Sequence, residues 1–420
     1  MIEIVDSPPS NETPNPTSST NRILHLDIFR GFAILGIFMV NFLVMNESFL
    51  FRDTWLMECS DIFSSTGKLN EVAHWLLETF FFSKFFPIFS FLFGIGVALQ
   101  IRSLKEKKKS STLFLFRRFT ALFIFGILHI LFIWSGDILH LYALFGFILI
   151  CMYRANTTVI WLTALVLFAF PYFDEIYLFV CDFFSTDPQQ YLANLSRSQI
   201  ADIKVNGSLP ADMQLRYFEY IFFTDVIVQF VIPVALPMAL LGLYVVKKGI
   251  IDRIDSFVNK IRLPFLILFI LIVTYRFVFR YWAWEVFDIE HGSLLSFFLW
   301  SIYIISEIML SFSYLIVIVL LLRTNLGRKL LSPLQYVGRM AFTNYILQSV
   351  IGYLIMQTFG YYESFDVLGC ILVVLVVFAC QIPLSWLWLK YFKFGPLEWL
   401  WRCISYWKVL TIRKVERSNH

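Results

Sequence analysis

The sequence is poor in charged side chains, since Asp, Glu, Lys and Arg together make up 15% of its 420 residues. A soluble globular domain carries roughly 25% charged residues. Hydrophobic residue types supply 59% of the chain, so a water-soluble fold would leave much of its surface apolar. This shortage of charge argues against an ordinary soluble protein and favours lipid as the surrounding medium.

Cysteine is also scarce, and its copies are scattered. No CxxC pair is present, which argues against a zinc site, and no motif for nucleic-acid binding occurs. We therefore expect no metal and no nucleic-acid partner. Most of the cysteines are expected to act as plain apolar side chains, although Cys59 and Cys181 fall in predicted outer loops and could form a disulfide. The six are Cys59, Cys151, Cys181, Cys370, Cys380 and Cys403.

Long apolar runs dominate the chain. A transmembrane helix needs roughly 20 mainly apolar residues, and the sequence predicts an all-α, polytopic integral membrane helix bundle with about ten such helices. A further apolar piece at 71–83, just before Pro87, is interpreted as a helix that lies at the outer surface or re-enters it. The predicted spans are 28–46, 85–101, 119–135, 138–153, 158–173, 221–246, 263–281, 294–322, 340–358 and 365–390.

Basic residues in the connecting segments predict the orientation, because cytoplasmic loops carry an excess of Lys and Arg. Residues 102–118 are the most basic segment of the chain. Arg154 and the segments 247–262 and 323–339 fall on the same side when ten spans alternate, as does the C-terminal tail. Both termini are therefore predicted to be cytoplasmic, in a multi-pass protein of the inner (plasma) membrane.

Composition along the chain predicts four regions. Residues 1–21 are polar and rich in Pro, Ser, Thr and Asn, which is typical of a disordered tail and not of a cleavable signal. An N-terminal transmembrane region at 22–220 includes an acidic outer loop, 174–219, that could form a cap. A second transmembrane region at 221–408 precedes a basic tail, 409–420. No internal repeat is evident, which argues weakly against an inverted-repeat transporter.

Two polar residues on the first span share one helix face. Arg30 and Asn41 are eleven residues apart, and eleven steps of 100° return to nearly the same direction. Asp27 could cap this helix or pair with Arg30. The pair could contact a substrate, or Arg30 could anchor the inner end while Asn41 bonds to another helix.

Charged side chains within spans cost at least a few kcal/mol each, so they are candidates for function. Lys84 lies among phenylalanines in FFFSKFFPIF, and Arg276 and Arg280 are one helical turn apart. Arginines so placed suit recognition of carboxylate or phosphate groups. Snorkelling to the interface is the alternative for all three. Glu307, near the middle of its span, is a further candidate for substrate binding, and its expected structural role is an ion pair with a Lys or an Arg.

Residues 129–142, HILFIWSGDILHLY, contain the strongest candidate for chemistry. Ser135 and Gly136 suit a tight outer turn, after which Asp137 could cap the next helix. His129 and His140 are predicted to lie at a similar membrane depth, with Asp137 beside them. These three side chains could perform general acid–base catalysis, with Asp137 orienting a histidine.

Several motifs along the chain resemble those of the YeiB family of bacterial multi-pass membrane proteins. The resemblance covers nearly the whole chain after the tail and includes two motifs typical of the family's C-terminal domain of unknown function. The motifs are RILHLDIFRGFAILGIFMVN at 22–41, KFFPIFSFLFG at 84–94, LHILFIWSGDILHLYAL at 128–144, GRMAFTNYILQS at 338–349 and FGPLEWLW at 394–401.

This family is similar to a wider set of transmembrane acyltransferases that includes lysosomal heparan-α-glucosaminide N-acetyltransferase and bacterial sugar O-acyltransferases. The resemblance implies transfer of an acyl group from cytoplasmic acyl-CoA, as a donor substrate and not a bound cofactor, to a sugar or lipid-linked acceptor at the outer side. In the sugar O-acyltransferases an Arg is followed, after ten residues, by His. Here Arg30 has Asn41 at that spacing, and Asn cannot act as a base. The base is therefore expected to be His129 or His140.

A transporter or exporter of a small anionic or lipid-linked solute is the competing hypothesis. Lys84, Arg276 and Arg280 would form its anion site, and helix breaks at Pro87, Pro233 and Pro237 would permit gating. A purely structural membrane protein fits least well, because so many charges lie within the spans. Membrane lipids are the expected partners under every hypothesis.

Overall fold

The computed structural model describes residues 24–47, 67–107, 111–169, 195–278 and 294–414, and these are helical almost throughout. In that part of the chain the only β pairing is an isolated bridge between Phe392 and Arg413. The helices are α1 (Leu24–Asn46), α2 (Lys68–Phe80), α3 (Phe85–Glu106), α4 (Ser111–Phe132), α5 (Leu139–Met152), α6 (Thr157–Ala169), α7 (Arg197–Asn206), α8 (Leu209–Val226), α9 (Ile232–Lys247), α10 (Ile254–Val278), α11 (Leu294–Leu321), α12 (Asn325–Leu331), α13 (Leu334–Arg339), α14 (Ala341–Tyr353), α15 (Val367–Tyr391) and α16 (Pro396–Tyr406).

Several of these helices can cross a membrane. By length and apolarity five segments of the described chain qualify, or six if the bent pair Ile305–Leu321 and Asn325–Leu331 forms one span. Each of the ten predicted apolar segments overlaps a helix of the structure. Only five or six segments of the described chain, however, are both long enough and apolar enough to cross a membrane by themselves. The five are Leu24–Asn46, Lys68–Glu106, Thr112–Phe132, Ile251–Arg276 and Val367–Tyr391.

Contacts between helix ends divide the bundle into two faces. On one face the end of α3 meets the turn before α10, where Arg102 forms a bidentate ion pair with Asp252 at 2.8 and 3.0 Å. The end of α9 meets the end of α5, where Lys247 Nζ donates to the carbonyl oxygen of Tyr153 at 2.9 Å. We call this side of the bundle the basic face. Its basic residues include Arg30, Arg102, Lys105, Arg118, Lys247, Arg323 and Arg402.

The opposite face joins the other helix ends. Arg197 of α7 bonds to Glu47 at the end of α1 (2.6 Å) and to Glu363 before α15 (2.9 Å). Asn70 of α2 donates to Asp366, the residue that caps α15, at 2.8 Å. Helices thus run between two sets of ends, as expected for a membrane bundle.

Helix α1 lies at the centre of the bundle, and α13 packs closely against its beginning. A Cβ on Gly31 would overlap the carbonyl oxygen of Leu334, and a Cβ on Gly338 would overlap that of Asp27. Small residues permit such backbone approach between helices in membranes. Glycine at these two positions therefore holds Arg30 close to the α13–α14 segment.

Some predictions fall outside the described residues. They are the disordered tail at 1–21, the Cys59–Cys181 pair, Arg280, residues 174–194 of the outer loop and residues 415–420 of the basic tail. The extra apolar piece at 71–83 coincides largely with α2, whose large apolar side chains are partly exposed. Cys151, Cys370, Cys380 and Cys403 are free thiols.

Candidate functional site

The turn between α4 and α5 brings His129 and Asp137 together. His129 Nδ1 lies 3.2 Å from Asp137 Oδ1, and the two residues are only 2% and 0% exposed. Within the described part of the chain neither ring nitrogen of His129 has a hydrogen-bond partner, because the 3.2 Å contact lacks hydrogen-bond alignment. Asp137 Oδ2 also accepts from the backbone N–H of Leu139 at 2.9 Å, which satisfies a donor at the start of α5.

Tyr345 completes this group from a distant part of the chain. Its hydroxyl donates to Asp137 Oδ1 at 2.6 Å, and its ring centroid lies 5.7 Å from that of His129. A carboxylate that accepts a hydroxyl proton donor is stabilised in its charged form. Helix α14 thus supplies a partner that fixes Asp137 beside His129.

His140 bonds to a different residue. Its Nε2 lies 2.6 Å from the hydroxyl of Tyr220 on α8, and its buried Nδ1 has no hydrogen-bond partner among the described residues. Asp137 acts on His140 electrostatically without a direct hydrogen bond. The two predicted histidines therefore share Asp137 as a charged neighbour but hold separate hydrogen-bond positions.

Helices α7 and α8 cover this group. Glu219 of α8 accepts from Ser135 in the α4–α5 turn at 2.8 Å, and Lys204 of α7 lies 3.0 Å from the same carboxylate. Glu219 is 1% exposed. A buried carboxylate with two such donors ties the turn to the two covering helices.

Arg216 attaches α8 at a second place. It donates to the carbonyl oxygen of Leu131 at the end of α4 (3.1 Å) and to the side chain of Gln357 (2.9 Å). It also pairs with Asp212 one turn earlier, and its guanidinium lies over the ring of Tyr353. The cap predicted within 174–219 therefore includes α7 and the first part of α8, which pack on the ends of α4 and α14.

A second buried group lies where α2 and α3 meet. Lys84 Nζ is 3.0 Å from Glu307 Oε2, and Arg276 is 2.7 Å from Glu307 Oε1. Lys84 Nζ also donates to the carbonyl oxygen of Glu78 at 2.7 Å. The sequence predicted a Lys or Arg partner for Glu307, and the structure gives it both. The two cations predicted to bind a substrate anion are thus partly neutralised by the protein itself.

Side chains on one face of α11 hydrogen-bond to the backbone at the break between α2 and α3. Ser311 donates to the carbonyl oxygen of Lys84 at 2.7 Å, and Tyr314 donates to that of Phe80 at 2.7 Å. Ser83 within the break has a φ of 62°, which is uncommon for a residue with a Cβ. These bonds satisfy carbonyl groups that the interrupted helix leaves without partners.

Arg30 and Asn41 join neither group. Arg30 lies 3.3 Å from Asp27 near the basic face. Asn41, about 16 Å further along α1 by helix rise, is partly buried and makes no side-chain hydrogen bond to the described residues. In the same ranges no group of three or more His, Cys, Asp and Glu side chains could hold a metal ion.

Comparison with known proteins gives matches along most of the chain. The family model described as "Protein of unknown function (DUF418)" matches residues 245–408. The uncharacterized protein YxaH of Bacillus subtilis (strain 168) is 28% identical over 417 residues, which cover 93% of this chain and 96% of the relative. An uncharacterized 39.9 kDa protein in the amylase 3'region of Bacillus acidopullulyticus is 28% identical with the same two coverages. The uncharacterized protein YeiB of Escherichia coli (strain K12) is 42% identical over 77 residues, 18% of this chain and 20% of YeiB.

The domain match and the similarity to YeiB and YxaH support membership of the YeiB family. The matched domain contains Arg276, Glu307 and Tyr345, whereas His129 and Asp137 lie before it. The candidate site therefore combines the YeiB family's C-terminal domain with the preceding half of the chain. Each of these relatives bears the name of an uncharacterized protein, so membership of the YeiB family identifies a membrane-protein family and not a reaction.

The sequence did not predict two of the site's contacts, those of Tyr345 and Tyr220. Tyr345 lies within the motif GRMAFTNYILQS, and the motif by itself assigns no role to its tyrosine. No periodicity relates position 345 to position 137, because the contact depends on how α14 packs against α4. Tyr220 directly precedes the predicted span at 221–246, where an aromatic residue usually signals only the membrane interface.

Proposed function

We propose that the protein is a transmembrane acyltransferase that moves an acyl group from cytoplasmic acyl-CoA to a sugar or lipid-linked acceptor at the outer side. The observation that supports this best is the buried His129–Asp137 pair. Its imidazole has a carboxylate 3.2 Å from Nδ1, and neither ring nitrogen has a hydrogen-bond partner within the described chain. A general base can use this arrangement, because the carboxylate stabilises the imidazolium while Nε2 is open to the reacting group.

The proposed step is direct transfer. His129 Nε2 takes the proton of the acceptor's hydroxyl or amine while that oxygen or nitrogen attacks the thioester carbonyl carbon. The new C–O or C–N bond forms, the C–S bond breaks, and the proton on His129 passes to the leaving thiolate to give free CoA. Asp137 stabilises the intermediate imidazolium, and Tyr345 holds Asp137 in place.

The proposed topology has ten spans, both termini in the cytoplasm and the basic face inside, in the inner membrane. Support comes from the two sets of helix ends, because the contacts of the basic face join segments that carry most of the loop Lys and Arg residues. Helix α4 runs from this face towards the site. Arg118 and His129 are eleven residues apart on it, or about 16 Å by helix rise, a distance that the long pantetheine arm of CoA suits.

The transporter hypothesis has less geometric support. Its anion site would use Lys84 and Arg276, and both cations bond to Glu307. In a site that binds an anionic ligand, the N–H donors of the cations should be available to the ligand and not paired with a carboxylate of the protein. The remaining predicted member, Arg280, lies outside the described residues.

Thiol release from acetyl-CoA and longer acyl-CoAs tests the proposal. Purified protein in liposomes would receive a membrane sugar or lipid extract as acceptor. We expect acceptor-dependent thiol release that falls at least about 100-fold in His129→Ala and Asp137→Asn, as general acid–base catalysis contributes about 10²–10⁴-fold. His25→Ala, on α1 near the basic face, is the matched control and should retain activity.

Two results would contradict the proposal. Full activity in both site variants would remove His129 and Asp137 from the reaction. No thiol release with any donor, together with measurable flux of an anionic solute, would replace the acyltransferase with the transporter. Circular dichroism and size-exclusion profiles of the variants should match those of the wild type, so that lost activity is not lost folding.

A further inference from the structure

Arg118 at the basic face is partly buried and has an unusual environment for an arginine. Its guanidinium lies 3.4 Å from the centroid of the Trp401 ring, and Trp401 Nε1 donates to the carbonyl oxygen of Arg118 at 2.7 Å. In the part of the chain that the structure describes, no carboxylate lies within ion-pair distance of Arg118 and no acceptor receives its side-chain donors. Stacking fixes the plane of the guanidinium, and its N–H groups stay available for a ligand.

The charges around Arg118 have mostly the same sign. Arg402 and Arg30 both lie within electrostatic range of its guanidinium, and Arg402 itself lies over the Phe394 ring at 4.3 Å. Like charges held together disfavour one another unless an opposite charge lies between them. Arg402 and Arg30, the latter also paired with Asp27, therefore add positive potential at Arg118, and an anion bound there would relieve this repulsion.

The neighbouring carboxylate does not supply that opposite charge. Glu398 is within electrostatic range of Arg118, but its Oε1 accepts from the N–H groups of Phe342 and Thr343 at 2.7 and 3.1 Å. Its Oε2 accepts from the Thr343 hydroxyl at 2.5 Å. Both oxygens thus cap the start of α14, where an acidic group stabilises the helix terminus.

Other arginines of the same segment differ from Arg118. Arg102 forms its bidentate pair with Asp252, which occupies the fork that would bind a phosphate. Arg117 lies over Trp407, 5.2 Å from the ring centroid, and next to Arg118 in sequence. The three arginines of 102–118 therefore differ in environment. Arg102 is neutralised by Asp252, Arg117 lies over Trp407, and Arg118 lies within electrostatic range of two other arginines.

We propose that Arg118, Arg402 and Arg30 form a binding site for a phosphate- or pyrophosphate-bearing ligand at the basic face. Arginine forks match phosphate oxygens geometrically and form strong charge-assisted hydrogen bonds. Two sources supply this chemistry at that face, the nucleotide part of an acyl-CoA donor and the headgroup of an anionic lipid. Only the assignment to a donor rests on the proposed function, since phosphate binding does not require acyl transfer.

Calorimetric titration of the full-length protein in phosphatidylcholine nanodiscs tests this site. The probes are inorganic pyrophosphate and adenosine 3′,5′-bisphosphate. We expect Arg118→Gln to weaken binding of both about tenfold or more, the loss of one charge-assisted contact. Arg117→Gln removes an equal charge from the next residue and should change affinity less than about twofold. If Arg118→Gln does not fold, Arg402→Gln tests the same cluster.

The outcomes separate the two sources and the two proposals. Tighter binding of the bisphosphate than of pyrophosphate, lost with Arg118, supports the nucleotide source. Competition by added phosphatidylglycerol that disappears in Arg118→Gln supports a lipid headgroup. Equal weakening in Arg117→Gln and Arg118→Gln, or no binding of either probe, overturns the site. Binding that depends on Arg118 in a protein without acyl transfer would refute the acyltransferase and leave the site intact.

Discussion

Asp137 has two structural duties that use different oxygens. Oδ2 accepts the Leu139 N–H at the start of α5, while Oδ1 accepts the Tyr345 hydroxyl and faces His129. The helix start and the negative charge beside the His129 imidazole thus depend on one buried side chain. Replacing Asp137 disturbs both, whereas replacing Tyr345 disturbs only the second.

Tyr345→Phe should separate positioning from folding. Removing the hydroxyl deletes one hydrogen bond to a charged group, typically about 1.5–3 kcal/mol, so we expect kcat for acyl transfer to fall about tenfold or more. Tyr361→Phe, on an exposed tyrosine, is the control, and equal effects in the two variants would reject a special role for Tyr345.

Glu307 should matter more for stability than either of its cations. Glu307→Gln leaves Lys84 and Arg276 buried without their shared carboxylate, and breaking a buried ion pair in this way costs about 3–5 kcal/mol. Lys84→Met leaves the Arg276–Glu307 pair, at 2.7 Å, intact. We therefore expect a larger fall in Tm for Glu307→Gln than for Lys84→Met in detergent. The reverse order would show that Glu307 is not the shared partner in solution.

Glu398 predicts a pH dependence of stability. Burial raises the pKa of its carboxyl, and hydrogen bonds from Thr343 and Phe342 offset part of that rise. Because the folded state holds this proton more tightly than the unfolded chain, its contribution to stability is full below the unfolded pKa, about 4.3. That contribution is lost as pH rises through the higher folded pKa. Glu398→Gln cannot ionise, so the Tm of the wild type relative to this variant should fall between pH 4 and 8, and a constant difference would contradict the assignment.

At residue scale, sequence reasoning succeeds where partners are close along the chain. His129 and Asp137 are joined by a short turn, so their proximity follows from local geometry. The free-energy cost of a charge within a span was enough to predict a cationic partner for Glu307. It did not predict which cation, because Lys84 and Arg276 reach Glu307 from separate parts of the chain. Tyr345 and Arg118 acquire their roles only through packing between distant helices, which one sequence does not display.

Helices α7 and α8 pack on each other around the buried Ile200 and Leu215, and ion pairs tie them to the rest of the bundle. Arg197 joins α7 to the ends of two other segments, and its side chain is 51% exposed while that of Glu47 is 4% exposed. After α8 the backbone passes through a π-helical turn, Ile227–Val231, before α9. Such turns often occur at functional sites, and no propensity rule in the sequence predicts one here.

Arg197→Ala should loosen this cap without disturbing the bundle. Exposed ion pairs contribute about 0.2–1 kcal/mol each, so losing two should raise hydrogen exchange in α7 severalfold. Exchange in α4 and α14 should not change, because the ion pairs of Arg197 go to Glu47 and Glu363 and not to either of these helices. Arg253→Ala, an exposed arginine before α10, is the control. Increased exchange throughout the protein would show that the cap and the bundle unfold together.

At the scale of the whole molecule, the arrangement of helix ends and the charge of the loops agree. The apolar runs were visible in the sequence because each span must bury its backbone polar groups within a helix. The sequence did not show that the ends of α3, α5, α9 and α10 lie close together, since many helix packings are compatible with spans that alternate in direction across the membrane. The structure adds these contacts, and together with loop charge they give each helix end a predicted side of the membrane.

Cysteine labelling should test that assignment directly. In a variant lacking the six native cysteines, Ser198→Cys on α7 should react with a membrane-impermeant maleimide in intact spheroplasts. Ser256→Cys at the start of α10 should react only after the membrane is permeabilised. Both serines are exposed, so access depends on the side of the membrane and not on burial. Labelling of Ser256→Cys from outside would invert the orientation and place the Arg118 cluster and its phosphate ligand at the outer surface, where cytoplasmic acyl-CoA could not reach it.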